Sequence, residues 1–127
     1  MQLHHLAIGA TDVAGLARFY EAAFGLEHLR EHRRDDGRLR SVWLRLAGGV
    51  LMVEEIETGS RPRLPETQPE AGWFLLSFAA TDPSERDACC SRAIALGARE
   101  SHRTAFTCYL LDPEGNRVAV SCYPLQD

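Results

Sequence analysis

The sequence predicts an α+β fold: two tandem βαβββ modules whose mixed sheets curl around a shared cleft. Three observations carry this. The stretch LAIGATD, ending at Asp12, returns as LSFAATD, ending at Asp82, an offset of 70 residues. A helical stretch closed by glycine follows each copy. Strand-like stretches joined by turn residues follow each helix. Self-similarity at a fixed offset is the signature of a duplicated supersecondary unit.

In the first module, Leu6 and Ile8 alternate with His5, Ala7 and Gly9, the period of a strand. The next stretch, roughly 12–24, places Val13, Leu16, Tyr20, Ala23 and Phe24 on one helical stripe. Thr11 or Asp12 can cap it, and Gly25 ends it. The strand after each helix is the weakest by pattern, at about 27–34 and 98–104. RSVWLRLAGGVLMVEE then reads as strand, glycine turn, strand.

The second module repeats the plan with a stronger helix start at roughly 83–96. Asp82 is a good N-cap, Pro83 suits the first helical position, and Glu85 lies three residues past the cap. Gly97 ends that helix, and FTCYLLDPEGNRVAVSCY supplies two more strands around D-P-E-G-N. Module one spans about 1–56 and module two about 72–124, with a linker at 57–71 holding Pro62, Pro65 and Pro69. Each sheet has one helix on one face, so the other face must be covered or used. Two such sheets side by side enclose a concavity, the natural seat of a ligand.

The chain has 127 residues, 45% hydrophobic and 25% charged, enough for one folded domain with a real core. No apolar run approaches the roughly 18 residues of a membrane helix. The first residues lack the basic and apolar regions of a secretory signal, so a cytoplasmic protein is expected. Net charge is −4, and the arginines of REHRRDDGRLR alternate with acids, which reads as a solvated hairpin and not a nucleic-acid surface. Cys89, Cys90, Cys108 and Cys122 form no C-x-x-C pair and read as reduced, partly buried thiols.

Alternation sorts the cleft-facing residues. His5, Ala7 and Gly9 face the cleft, and the small pair leaves room for a ligand. Leu75 takes the place of His5 in the second module, with Leu76 and Phe78 under the helix. Val42, Leu44, Leu46, Val118 and Val120 belong to the core, while Trp43 and Arg45 face the cleft; Trp43 and Tyr109 read either as aromatic walls of a pocket or as simple sheet-surface or dimer packing. Aligning Val53 with Val120 puts Met52 opposite Ala119 and sets Met52 and Glu54 on the cleft face. Glu54 reads either as a metal ligand near His5 or as an exposed strand-end carboxylate beside Glu55 and Glu57. His4 points the other way.

HHLAIGATDVAGLARFYEAAFGLE, SVWLRLAGGVLMVEE and LLDPEGNRVAVSCY together resemble the vicinal oxygen chelate superfamily, which includes glyoxalases, bleomycin- and fosfomycin-resistance proteins and extradiol dioxygenases. The resemblance covers essentially the whole chain. It implies a homodimer and a small-molecule ligand. In metal-using members it implies a histidine on each module's first strand and a glutamate on each last strand. His5 matches the first position and Met52 or Glu54 the second; Leu75 and Ala119 stand at the other two. Cys122, Ser121, Tyr109 and His102 are spare donors in the second half.

Two functions follow. One is a lyase, dioxygenase or transferase that uses a divalent Zn, Ni, Mn or Fe held by His5 and Glu54, with no assignable catalytic base. The other is a metal-free binding or sequestering protein whose pocket is lined by Trp43, Arg45, Leu75 and Tyr109. A regulatory dimer with no open pocket ranks third.

Overall fold

The computed structural model describes residues 1–56 and 74–125; the expected linker at 57–71 lies outside the described residues. The chain divides into two compact units, Met1–Arg61 and Pro62–Asp127. Among the described residues each holds one four-stranded mixed sheet and one helix, as the repeat predicts.

In the first unit, β1 (His5–Ala10) leads through α1 (Val13–Phe24) to β2 (His28–Arg33), and β3 (Leu39–Leu46) and β4 (Gly49–Glu55) complete the sheet. The spatial order is β1-β4-β3-β2, with β1 parallel to β4 and the other pairs antiparallel. The second unit repeats this with β5 (Leu76–Ala79), α2 (Pro83–Ala95), β6 (Arg99–Arg103), β7 (Thr107–Leu111) and β8 (Arg117–Ser121), in the order β5-β8-β7-β6. Each helix carries the chain from one edge of its sheet to the other. Four strands span about 14 Å at their usual spacing, and a 12-residue helix covers about 18 Å. One helix is therefore enough to cross.

The helix ends are built as the sequence suggests. Asp12 accepts a hydrogen bond from the Gly15 N–H at 2.9 Å, and a Cβ on Gly15 would collide with that carboxylate. Gly25 closes α1 in the left-handed region at φ 69°. At α2, Asp82 accepts from the Glu85 N–H at 2.8 Å, and Glu85 reaches back to accept from both N–H and hydroxyl of Thr81 at 2.6 Å. The D-P-E-G-N turn is organised by buried Asp112, whose carboxylate accepts from the N–H groups of Glu114 and Asn116 and from the Asn116 side chain, all at 2.9 Å. Gly115 makes the turn at φ 88°.

The first core forms where α1 meets its sheet: Leu16, Phe19, Tyr20 and Ala23 against Val42, Leu44, Leu51 and Val53. Val42, Leu44, Val118 and Val120 are buried as expected, whereas Leu46, at the end of β3, is only half-buried. REHRRDDGRLR does form a solvated hairpin, its turn closed by the Arg34 N–H on the Arg38 carbonyl at 2.8 Å. Arg34 and Arg38 then reach Glu55 at 2.7 and 3.1 Å.

The second unit carries a polar clamp. Buried Arg86 donates to Asp87 and to the Ala105 carbonyl, both at 2.8 Å. Arg103 on β6 pairs with Asp87 and Glu100 at 2.7 Å, tying this edge strand to α2. Hydrogen bonds from Arg86 first, then Arg103, hold Asp87 below the usual carboxylate range. The Cys108 thiol, then Arg103, does the same for Glu100, and Thr81 for Glu85. Burial, more than any other cause, pushes the thiols of Cys89, Cys90 and Cys108 upward.

Two outcomes follow. Leu51→Ala should cost about 2–5 kcal/mol in urea unfolding, whereas a change at exposed His5 should stay within about 0.5 kcal/mol. The lowered carboxylates favour the ionised form in the folded state, so their contribution is present above an unfolded value of roughly 4 and is lost as pH falls through the lower folded values. The thermal midpoint should therefore drop on acidification below about pH 4. Asp87→Asn should flatten that drop, as differential scanning calorimetry across pH will read.

Candidate functional site

Register fixes which side chains share the helix-free face of the first sheet. One row across the strands is Ala7, Met52, Trp43 and Arg30; the next is Gly9, Glu54, Ser41 and His32; a third is His5, Val50 and Arg45. The opposite face carries Leu6, Leu51 and Leu44, then Ile8, Val53 and Val42, against the helix. Trp43 is thus central, on an inner strand, flanked by the edge-strand side chains of β2.

Around Trp43 the contacts are specific. The Arg30 guanidinium lies over its ring, 5.5 Å from the centroid. The His32 ring tilts against it at 5.0 Å. Ser41 is fully buried. Three polar atoms, His32 Nε2, Ser41 Oγ and Trp43 Nε1, are shielded from solvent without a hydrogen-bond partner among the described residues. Leaving such groups unpaired costs about 1–3 kcal/mol each, so their grouping on one face calls for a partner. No ion pair or hydrogen bond within the described residues involves the Arg30 guanidinium or the Glu54 carboxylate, whereas Arg45 is paired to Glu27 at 2.7 Å.

His5 is exposed, and its Nδ1 shares a hydrogen bond with Nδ1 of His4 at 2.8 Å. The two histidines therefore engage each other, although they begin on opposite sides of the strand. Glu54 lies opposite Gly9, while His5 lies opposite Val50. The four-residue step from Val50 to Glu54 spans roughly 13 Å along the strand. That exceeds what the two side chains and metal bonds of about 2.1 Å can bridge. Met52 is only two residues from Val50 and is the nearer neighbour of His5. The space expected beside Gly9 is taken: a Cβ there would meet Ile56 Cγ2 at 2.9 Å.

In the second sheet the corresponding row is Ser77, Ala119, Tyr109 and His102. Tyr109 occupies the place that Trp43 has in the first, and His102 stacks on it at 5.8 Å. Leu75 is half-buried just before β5, beside Phe74, whose ring carries the Arg117 guanidinium at 4.8 Å. Thr107 and Ser121 hydrogen-bond each other at 2.7 Å, so this face satisfies polar groups that the first leaves unpaired. The Cys122 thiol donates to the Phe106 carbonyl at 3.3 Å.

The implied metal can be tested against this donor set. Its four positions hold an imidazole at His5, a thioether at Met52 and hydrocarbon at Leu75 and Ala119. A divalent ion in a catalytic site takes about three protein donors. Among the described residues no group of three or more His, Cys, Asp or Glu side chains could hold an ion. The residues present do not fit the group.

Sequence reasoning missed Arg30, His32 and Ser41. The alternation that exposes Trp43 also exposes Ser41, and pairing across the DDG turn brings His32 opposite Ser41. Register shifts at His28/Arg30 and His32/Arg33 break the period of β2 and hid that pairing.

A solved lactoylglutathione lyase from Agrobacterium tumefaciens is 25% identical, with a TM-score of 0.63 over 93% of this chain and 90% of that one. A glyoxalase/bleomycin resistance protein/dioxygenase family enzyme from Burkholderia phytofirmans is 21% identical, with a TM-score of 0.71 over 94% and 97%. A YycE protein of unknown function from Bacillus subtilis is 20% identical, with a TM-score of 0.76 over 99% and 93%. The latter two likenesses show the fold. No curated protein matches the chain. The glyoxalase-like domain model matches residues 5–121, nearly the whole of both modules, and the chain belongs to that family, within the vicinal oxygen chelate superfamily.

Proposed function

We propose that this chain is a metal-free small-molecule binding protein of the bleomycin-resistance type, with Trp43 at the centre of its ligand surface. The observation that carries the reading is the first-sheet register, in which Met52 stands diagonal to His5 and Glu54 lies two residues further on. An ion held by His5 alone would be lost to water, so the face is better suited to binding than to Lewis-acid chemistry. Trp43 offers a large flat surface at low entropic cost, and Met52 beside it adapts to irregular apolar shapes. Arg45, on the same strand and the same face as Trp43, remains part of the proposed lining.

The metal-dependent lyase reading draws its support from the 25% identity to lactoylglutathione lyase. The donor set weighs against it. The resemblance to small two-module chains supports a homodimer. Four free cysteines, three of them buried, suit a reducing compartment such as the cytoplasm.

Protein purified without chelator should carry well under one equivalent of Zn, Ni, Mn or Fe by elemental analysis. A chelator should leave its thermal midpoint unchanged. Stoichiometric metal that His5→Ala removes would overturn the proposal in favour of the lyase reading. In a thermal-shift panel, small apolar and aromatic compounds should stabilise the protein. Trp43→Ala should weaken the best of them at least about tenfold.

A further inference from the structure

Resting on that binding reading, we infer that the ligand carries a single carboxylate, received at the β2 end of the face by Arg30, His32, Ser41 and the Trp43 indole N–H. The Trp43 Nε1–H is donor only and has no partner among the described residues. It can be satisfied only by an acceptor. Ser41 Oγ can donate to the same group, and so can His32 Nε2 in the appropriate tautomer or when protonated. Arg30 supplies a positive charge with no carboxylate opposite it among the described residues.

The three atoms and the guanidinium gather around one aromatic ring. His32 and Ser41 are cross-strand partners, as are Arg30 and Trp43. Such a set offers several donors and a cation to one planar anion, the arrangement that strengthens charge-assisted hydrogen bonds. Arg30 is exposed and its guanidinium rests on the Trp43 ring, beside these donors. In the proposal that guanidinium pairs with the arriving carboxylate.

Glu54 sets the limit on charge. It lies across Ser41 from His32, two strand spacings or about 10 Å from that residue. Its carboxylate, with no ion-pair partner in the described residues, repels a second negative charge toward β4. The ligand is therefore a monocarboxylate, with its apolar part lying toward Met52 and Ala7.

The test is calorimetric titration of the whole chain with phenylacetate, phenylacetamide and benzylphosphonate. Phenylacetate should bind at least about tenfold more tightly than the amide, as a charged hydrogen-bonded group requires. Benzylphosphonate, which carries more charge, should bind no more tightly than phenylacetate. Arg30→Gln, and Trp43→Phe, which keeps the ring and removes the N–H, should each narrow the gap between acid and amide. Their melting curves will verify folding. Equal affinity for acid and amide, or an unchanged gap in both variants, overturns the carboxylate inference and leaves the binding reading standing. A tighter phosphonate overturns the single-charge limit. Failure of all three probes to bind, together with silence across the broader apolar panel, defeats both.

Discussion

The parallel pairing of the first strand of each module with its last is the constraint from which the rest follows. A helix that carries the chain across the sheet leaves the last strand no free neighbour but the first, running the same way. In the first module that pairing sets His5 against Val50 and Gly9 against Glu54. The same ladder buries Leu51 and Val53 under α1 while turning Met52 and Glu54 to the other face. A slip of one residue would invert both sets, so the burial of the core and the chemistry of the open face are specified together.

Much of this architecture was legible from punctuation. Asp82, Pro83 and Glu85 announce α2, and Gly25 and Gly97 end the helices, because caps and left-handed residues are local chemistry. The inward alternation of Val42, Leu44, Val118 and Val120 was legible for the same reason. The site was less so. Alternation finds a face but gives no position along it, and the distance between His5 and Glu54 depends on register between strands far apart in sequence. The filling of the space beside Gly9 by Ile56 is a packing event that no pattern encodes. His32 stayed hidden because irregular pairing interrupts the period of β2.

The two modules share a plan and differ in how they treat polar groups. Thr107 and Ser121 satisfy each other on the second sheet, while Ser41 and Glu54, at the matching positions of the first, do not pair. Both modules pair charges internally, the second through Arg86, Asp87, Arg103 and Glu100 and the first through Arg34, Arg38 and Glu55. The first keeps Arg30 and Glu54 free of such partners among the described residues. The two units thus differ at this row: the second pairs its hydroxyls with each other, and the first leaves Ser41 Oγ without a partner among the described residues.

The cysteines of the second module show what burial does to reactivity. Cys108 donates its proton toward Glu100 at 3.1 Å and sits beside Cys90 in the core, where the thiolate is disfavoured. Oxidants and electrophiles attack the thiolate, so these sulfurs are withdrawn from the chemistry that usually makes cysteine worth noticing. They act as small apolar residues filling the seam between helix and sheet. An oxidising burst would find the interior of this module unreactive and would reach Cys122 first.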